Sequence, residues 1–479
     1  MHCLWFCSLG LLTLPARAYG QQSPFLSTSA QTGALHKFNL IQTKVDVVGL
    51  AEAHGLDIWH LSLSQAHIFE PFDKNILRGL PDALQVIPHE VSYIPSANAS
   101  TTSQMDEWDL SSLANTTYHS AYHPLHEINS FIHQLAEIFP TKVEVVELGH
   151  SALGREMYAL KLTSGSPDDR SKDNERKPKP PKRDKPGKER ELDPNKKLGF
   201  VIVGAQHARE WVATSTSLYL AHSLAVNSSE PRSLATILDV YDFYIIPSPN
   251  PDGYTYTWEE DRFWYKNRQV MGPKEKCVGL DMNRNWGYKW KPFSVGEGSL
   301  QMNHPTSSSS ELLKKKKSKR PPADPCSFWY PGHRAFESPE VNNIATWVGT
   351  LPNLVGLIEL RAYGQMLSTP FSYSCNRYPT DLEDQTEAAQ GAIASLKNVH
   401  GTVFAAGSLC SNLYTAPGNL IDWMYKRVGI KYTYVAHLRD TGTYGFALPA
   451  ELIRPVGEET SAMVAYLSKF IKIQMKRFL

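Results

Sequence analysis

The sequence predicts an α/β fold in which a mixed, mostly parallel sheet is sandwiched by helices, with a small α+β unit in front. Two observations carry this. Short apolar runs alternate along the chain with segments that repeat apolar residues at helical spacing, the pattern of strands joined by crossover helices. The residues with the most pointed chemistry follow those apolar runs, where open α/β sheets place their ligands. At 479 residues the chain is long enough for more than one domain. Its 49 Lys+Arg against 48 Asp+Glu give no overall pull toward nucleic acid or membrane.

Leu4–Leu12 is apolar but too short to span a bilayer, and Ala16-Arg17-Ala18 follows as a small-x-small cleavage site. Residues 1–18 therefore read as a signal peptide, and the product as secreted or vacuolar. Cys3 and Cys7 leave with that segment. Cys277, Cys326, Cys375 and Cys410 remain for an oxidising compartment, with three pairings open. Sequons at Asn98, Asn115 and Asn227 agree with that route. No later segment approaches a transmembrane span, and a monomer is expected.

From about Leu35 to Pro95 the chain reads as the small unit: strands over Lys44–Val48 and Leu56–Leu61, and a short helix over Phe72–Leu80. The polar stretch Ser96–Gln104 reads as a linker, so residues 19–109 form one region and 110–479 the larger domain. There His126–Phe139 has helical spacing, and Val143–Leu148 and Met157–Leu162 read as strands joined by a hairpin turn at Gly154. Residues 168–197 and about 293–325 lose apolar content to Lys, Pro, Ser and Glu and read as disordered inserts. Val201–Val203 is a central strand running into a helix over Val212–Leu224. Val240–Ile246, Val355–Leu360 and Tyr432–His437 read as strands, Pro247–Tyr254 as a turn cluster, and Asp384–His400 and Glu458–Phe470 as helices.

His207 and Glu210 stand at the turn between the central strand and its helix. Imidazole and carboxylate three residues apart can share one zinc ion, which then needs a third protein ligand from elsewhere. A surface histidine beside a glutamate favoured by the helix dipole would make the same pattern. The third ligand decides between them.

His207-Ala208-Arg209-Glu210-Trp211, Asn250-Pro251-Asp252-Gly253-Tyr254, Asp281-Met282-Asn283-Arg284-Asn285-Trp286, Tyr414 ahead of Ile421-Asp422-Trp423, and Leu438-Arg439-Asp440-Thr441-Gly442 occur in order. Together they resemble the zinc metallocarboxypeptidases of the carboxypeptidase A/B type, from about Leu110 to the end. The resemblance implies that His207 and Glu210 are zinc ligands, and that Arg209, Asn283, Arg284 and Tyr414 hold substrate. Arg284 would take the C-terminal carboxylate, as a planar guanidinium suits. It places Ile421 at the floor of an apolar side-chain pocket. It pairs Cys277 with Cys326, a loop closure of about 50 residues contributing ~4 kcal/mol in the chain-entropy model, and Cys375 with Cys410. The Leu35–Pro95 unit resembles the family's pro-segment, which folds over the active-site mouth.

Three positions depart from the pattern, all at the chemistry. The third ligand is a histidine in the family and Arg361 here; the general base is a glutamate in the family and His437 here. The arginine that stabilises the oxyanion is replaced by Tyr265. A guanidinium has no lone pair for a metal. The pattern is most similar to a fungal group of inactive metallocarboxypeptidase-like proteins, linked to cell-wall organisation. Two functions are therefore expected as rivals: a pseudoenzyme that binds a peptide or protein C-terminus, or a zinc carboxypeptidase releasing apolar C-terminal residues, with His437 as substitute ligand.

Overall fold

The computed structural model describes residues 32–80, 83–90, 108–164, 192–273, 275–292 and 323–476. The expected signal peptide, the Ser96–Gln104 linker with Asn98 and most of both inserts lie outside these residues. Asn115 and Asn227 are exposed in loops.

The larger domain is built on an eight-stranded sheet in the order β11-β10-β12-β9-β7-β8-β6-β5. Its strands are β5 (Val143–His150), β6 (Glu156–Leu162), β7 (Leu198–Val203), β8 (Tyr241–Ile246), β9 (Leu354–Arg361), β10 (Met366–Thr369), β11 (Ala405–Ser408) and β12 (Tyr432–His437). The central run β12-β9-β7-β8 is parallel, as is β10-β11, while β10-β12, β6-β8 and β5-β6 are antiparallel. The mixed, mostly parallel sheet is as expected. Side chains alternate between its faces: Phe200 and Ile202 enter one apolar core, Val201 and Val203 the other.

Helices cover both faces: α2 (Leu125–Ile138), α3 (Trp211–Ala225), α4 (Pro251–Glu259), α5 (Pro339–Thr350), α6 (Leu382–His400), the short α7 (Leu409–Asn412) and α8 (Leu420–Trp423), and α9 (Ile453–Lys476). Every residue of α3 is buried, so it has no solvent face and is stabilised by packing rather than amphipathicity. The turn cluster expected over Pro247–Tyr254 ends early. Asn250 caps α4 by accepting from Gly253 N, and Pro251 opens the helix. Both disulfides form as the resemblance implied, Cys277–Cys326 and Cys375–Cys410.

Between β7 and the site, Gly204 donates its N–H to Ile246 O at 2.8 Å, and a Cβ there would stand 2.2 Å from Pro247 O. Backbone cannot move aside as a flexible side chain does. Gly204→Ala is expected to destabilise the protein by about 1–3 kcal/mol, read as a lower urea midpoint. An unchanged midpoint would contradict the close approach.

The small unit is a four-stranded antiparallel sheet, β2-β3-β1-β4, of β1 (Thr32–Asn39), β2 (Asp57–Leu61), β3 (Gln65–Pro71) and β4 (Ala83–Glu90), with helix α1 (Val47–Ala53). Of its expected elements only β2 stands. The strand expected over Lys44–Val48 is instead the entry to α1: Asp46 caps it by accepting from Gly49 N, and Val47, Val48 and Ala51 share its buried face. The helix expected over Phe72–Leu80 is a loop, because the buried Glu70 carboxylate accepts from Ile76 N and Leu77 N, binding amides a helix would use.

One face of this sheet closes over Phe38, Ala51, Leu61 and Ile68. The other seats on the larger domain, where Trp59 packs against Phe69, Phe263 and Phe446 at centroid distances of 4.9, 4.7 and 5.1 Å.

Candidate active site and its charge cluster

The site lies at the carboxyl ends of the central parallel strands, where the βα turns supply side chains without disturbing the ladder. His207 and Glu210 come from the β7–α3 turn, Arg361 ends β9, and His437 ends β12 in register beside Arg361. His207 and Glu210 are 0 % and 1 % exposed, which excludes the surface-residue reading of this pair. Glu210 is the N-cap of α3, yet its carboxylate caps no amide of that helix. It accepts instead from Ala362 N at 3.2 Å and stands 2.9 Å from His207 Nδ1.

Arg361 stands beside this pair. Its Nη2 lies 2.7 Å from His207 Nδ1 and 3.6 Å from Glu210 Oε1. His207 Nε2 is held at 3.0 Å by Asp281 Oδ1, so the tautomer that donates Nε2–H there leaves the Nδ1 lone pair for the guanidinium. Burial pushes the Glu210 carboxyl up, but Arg361 and His207 outweigh it and hold the group below its usual range. Burial opposes the charge on Arg361 as well; Glu210, Tyr265 and Glu359 more than restore it, so the guanidinium stays protonated.

The two other departures complete the change. Tyr265 stacks on the His207 ring at 3.9 Å and 17°. It supplies no cation where an oxyanion would form. His437 is pushed well below the usual imidazole value by burial, then by Arg361, His60 and His207, and its Nδ1 has no hydrogen-bond partner among the described residues. Among the described residues no three His, Cys, Asp or Glu side chains converge to hold a metal. The family's metal does not fit the residues present: the third position holds a cation that has no lone pair.

The substrate-side residues are arranged differently. Arg284 is 4 % exposed and donates to Asn283 O and to Tyr414 Oη, each at 3.0 Å. The Asp281 carboxylate is 3.9 Å from it. Asn283 is spent inside the protein, donating to Glu359 at 2.7 Å and accepting from Leu420 N at 3.0 Å. Arg209 is paired with Asp57 of β2 and lies over the rings of Tyr265 and Phe446. Ile421 is fully buried in the second core and does not line the cavity.

That cavity, of about 50 Å³, is bounded by Ile58, Trp59, His60 and Leu61 of β2 on one side and by Arg361, Tyr414 and His437 on the other. It has room for water but not for a peptide residue. Among the described residues, Arg209 Nε, Arg361 Nε and His437 Nδ1 of its lining are buried without a hydrogen-bond partner.

Three contributors were not singled out from sequence. Asp281 orients His207 and was visible only as part of a quoted motif. Glu359 gave one signal, an acid inside an apolar strand. Asp57 gave none, since its partner Arg209 lies 152 residues away.

A family model described as zinc carboxypeptidase matches residues 128–463. The inactive metallocarboxypeptidase ECM14 of Blastomyces gilchristii (strain SLH14081) is 30% identical over 498 residues, covering 95% of this chain and 76% of its own. The crystal structure of thrombin activatable fibrinolysis inhibitor superposes with a TM-score of 0.71 at 25% identity, over 92% of this chain and 99% of that one. Its bovine form, solved in complex with tick carboxypeptidase inhibitor, is 31% identical with a TM-score of 0.58, over 74% and 99%.

Proposed function

The chain belongs to the zinc carboxypeptidase family, and on that premise we propose that it is an inactive member whose pocket binds the free C-terminus of a peptide or protein. The observation that carries this is Arg284. Its guanidinium is buried and hydrogen-bonded to a carbonyl and a phenol, with the Asp281 carboxylate 3.9 Å off. A buried cation is stable when paired, and a planar carboxylate is the partner that matches a guanidinium fork. The inactive naming of the fungal relatives supports the loss of catalysis. A route through an oxidising compartment is supported by the two disulfides and the exposed Asn115 and Asn227. No helix among the described residues is long and apolar enough to cross a membrane.

With β2 in place the cavity is too small for a side chain, so the peptide enters as β2 withdraws. Asp57→Asn with Trp59→Ala in the full chain loosens that strand by removing the Arg209 ion pair and the aromatic plug. Calorimetry on this variant should show a peptide ending in free Phe binding about a hundredfold more tightly than its amidated twin. Arg284→Ala should abolish the difference. Equal binding of the two peptides would refute the reading.

A further inference from the structure

We propose that Arg361 is a built-in cation that takes over the positional work of the family's metal, so that the site assembles, and recognises a C-terminus, without zinc. This rests on the reading of the pocket given above and adds what holds that pocket in shape.

His207 Nδ1 lies 2.9 Å from Glu210 Oε1 and 2.7 Å from Arg361 Nη2, while His207 Nε2 lies 3.0 Å from Asp281 Oδ1. A buried carboxylate beside an imidazole needs a cation to share. In a zinc site the metal is that cation. Here the shared cation is the Arg361 guanidinium, 2.7 Å from one atom and 3.6 Å from the other. It is tethered to β9 and cannot dissociate. Bringing a divalent ion to the same two atoms would place it against a fixed positive charge in a buried site, where like charges interact most strongly.

The surroundings fit a monovalent replacement. Tyr265 covers one face of His207. Glu359, two residues before Arg361 on the same strand, is fully buried and tied to Gln206 and Asn283 at 2.6 and 2.7 Å. The cluster also reaches the carboxylate side. From Arg361 it runs through His207 to Asp281, whose Oδ1 also accepts from Asn283 N at 2.8 Å and whose Oδ2 faces Arg284. Arg361 is thus a positioning residue: it fixes His207, which fixes Asp281, which sets the turn carrying Arg284.

The test uses the full chain and its Arg361→His and Arg361→Met variants, with metal analysis, thermal shift against added zinc, and free-Phe peptide binding in the loosened Asp57→Asn, Trp59→Ala background. Wild type should carry under about 0.1 zinc per chain, and zinc or a chelator should leave its melting temperature and peptide affinity unchanged. Arg361→His, with the ligand set restored, should bind about one zinc and gain thermal stability from it. Arg361→Met should lose at least about tenfold in peptide affinity, and Arg361→His should recover it only with zinc. Stoichiometric zinc in wild type, or peptide binding that a chelator abolishes, would overturn the proposal. So would an Arg361→His variant that stays metal-free. If Arg361→Met does not fold, wild type with chelator and Arg361→His with zinc still decide the matter. If free and amidated peptides bind alike, the pocket reading fails while zinc content and thermal shift still judge Arg361.

Discussion

The purified chain is expected to release C-terminal Phe from a peptide at least roughly 10⁴-fold more slowly than an intact family site, because two catalytic contributions are missing at once. A positioned oxyanion donor contributes roughly 10²–10³ in rate and a general base roughly 10²–10⁴. Tyr265 stands where the donor is required and is stacked on His207. His437 stands where the base is required, with Arg361 among the groups that disfavour its protonation. The third ligand position also holds a guanidinium, which has no lone pair for a metal. Reversing one position should therefore recover nothing measurable, since residues that act as a unit are not additive. Arg361→His, His437→Glu and Tyr265→Arg together are the minimum for rescue. The assay belongs in both the native chain and the Asp57→Asn, Trp59→Ala variant, so that closure by β2 is not mistaken for inactivity. Turnover in either that disappears in His207→Ala would show a working catalytic centre and defeat this account.

The site's losses were legible in the sequence because they sit inside ordered motifs. Leu438-Arg439-Asp440 fixes the register of His437, and Tyr363 that of Arg361. What could not be read was where the Arg361 side chain goes. A residue that cannot ligate zinc could have pointed to solvent; burial beside Glu210 and Glu359 turned it into the cluster's cation. The partners of Asn283 could not be read either, since Glu359 and Leu420 are brought to its amide from distant segments. The central strands β7, β9 and β12 were legible because they are buried on both faces, whereas the four-residue β10 and β11 were not read. The small unit was not. β1, β3 and β4 carry Lys37, His67, Glu70 and Pro88, which break the alternation. The valines of α1 imitate a strand until Asp46 caps them. The pairing of Asp57 with Arg209 joins two units and has no local signature.

Acid should loosen the contact between those two units. His60 and His67 face each other across β2 and β3, with rings 4.9 Å apart, and both stack toward Tyr363, whose hydroxyl lies 2.9 Å from His67 Nδ1. Lys37 from β1 adds positive charge, His437 from β12 faces His60 but is itself kept neutral by burial and Arg361, and Asp440 faces Tyr363 and Lys37. Burial, and then Lys37, lowers His60 to about 4; burial, then His60 and Lys37, lowers His67 to about 2. Above the ordinary imidazole value both rings are neutral in folded and unfolded chains alike, so the shifts cost nothing at pH 7. Below about 6.5 the unfolded chain takes up protons that the folded interface refuses, and stability falls until the folded values are reached. Each histidine contributes at most about 1.4 kcal/mol per pH unit, so the pair sets a ceiling of about 5 kcal/mol between pH 6.5 and 4.5. His119 and His222 are also lowered by burial and add a loss of the same sign, so the informative quantity is a difference. Denaturant midpoints of the wild type and of a His60→Gln, His67→Gln variant should diverge as pH drops from 6.5 to 4.5, the variant losing less. Parallel decline of the two curves would show that these histidines bind their protons without opening the interface.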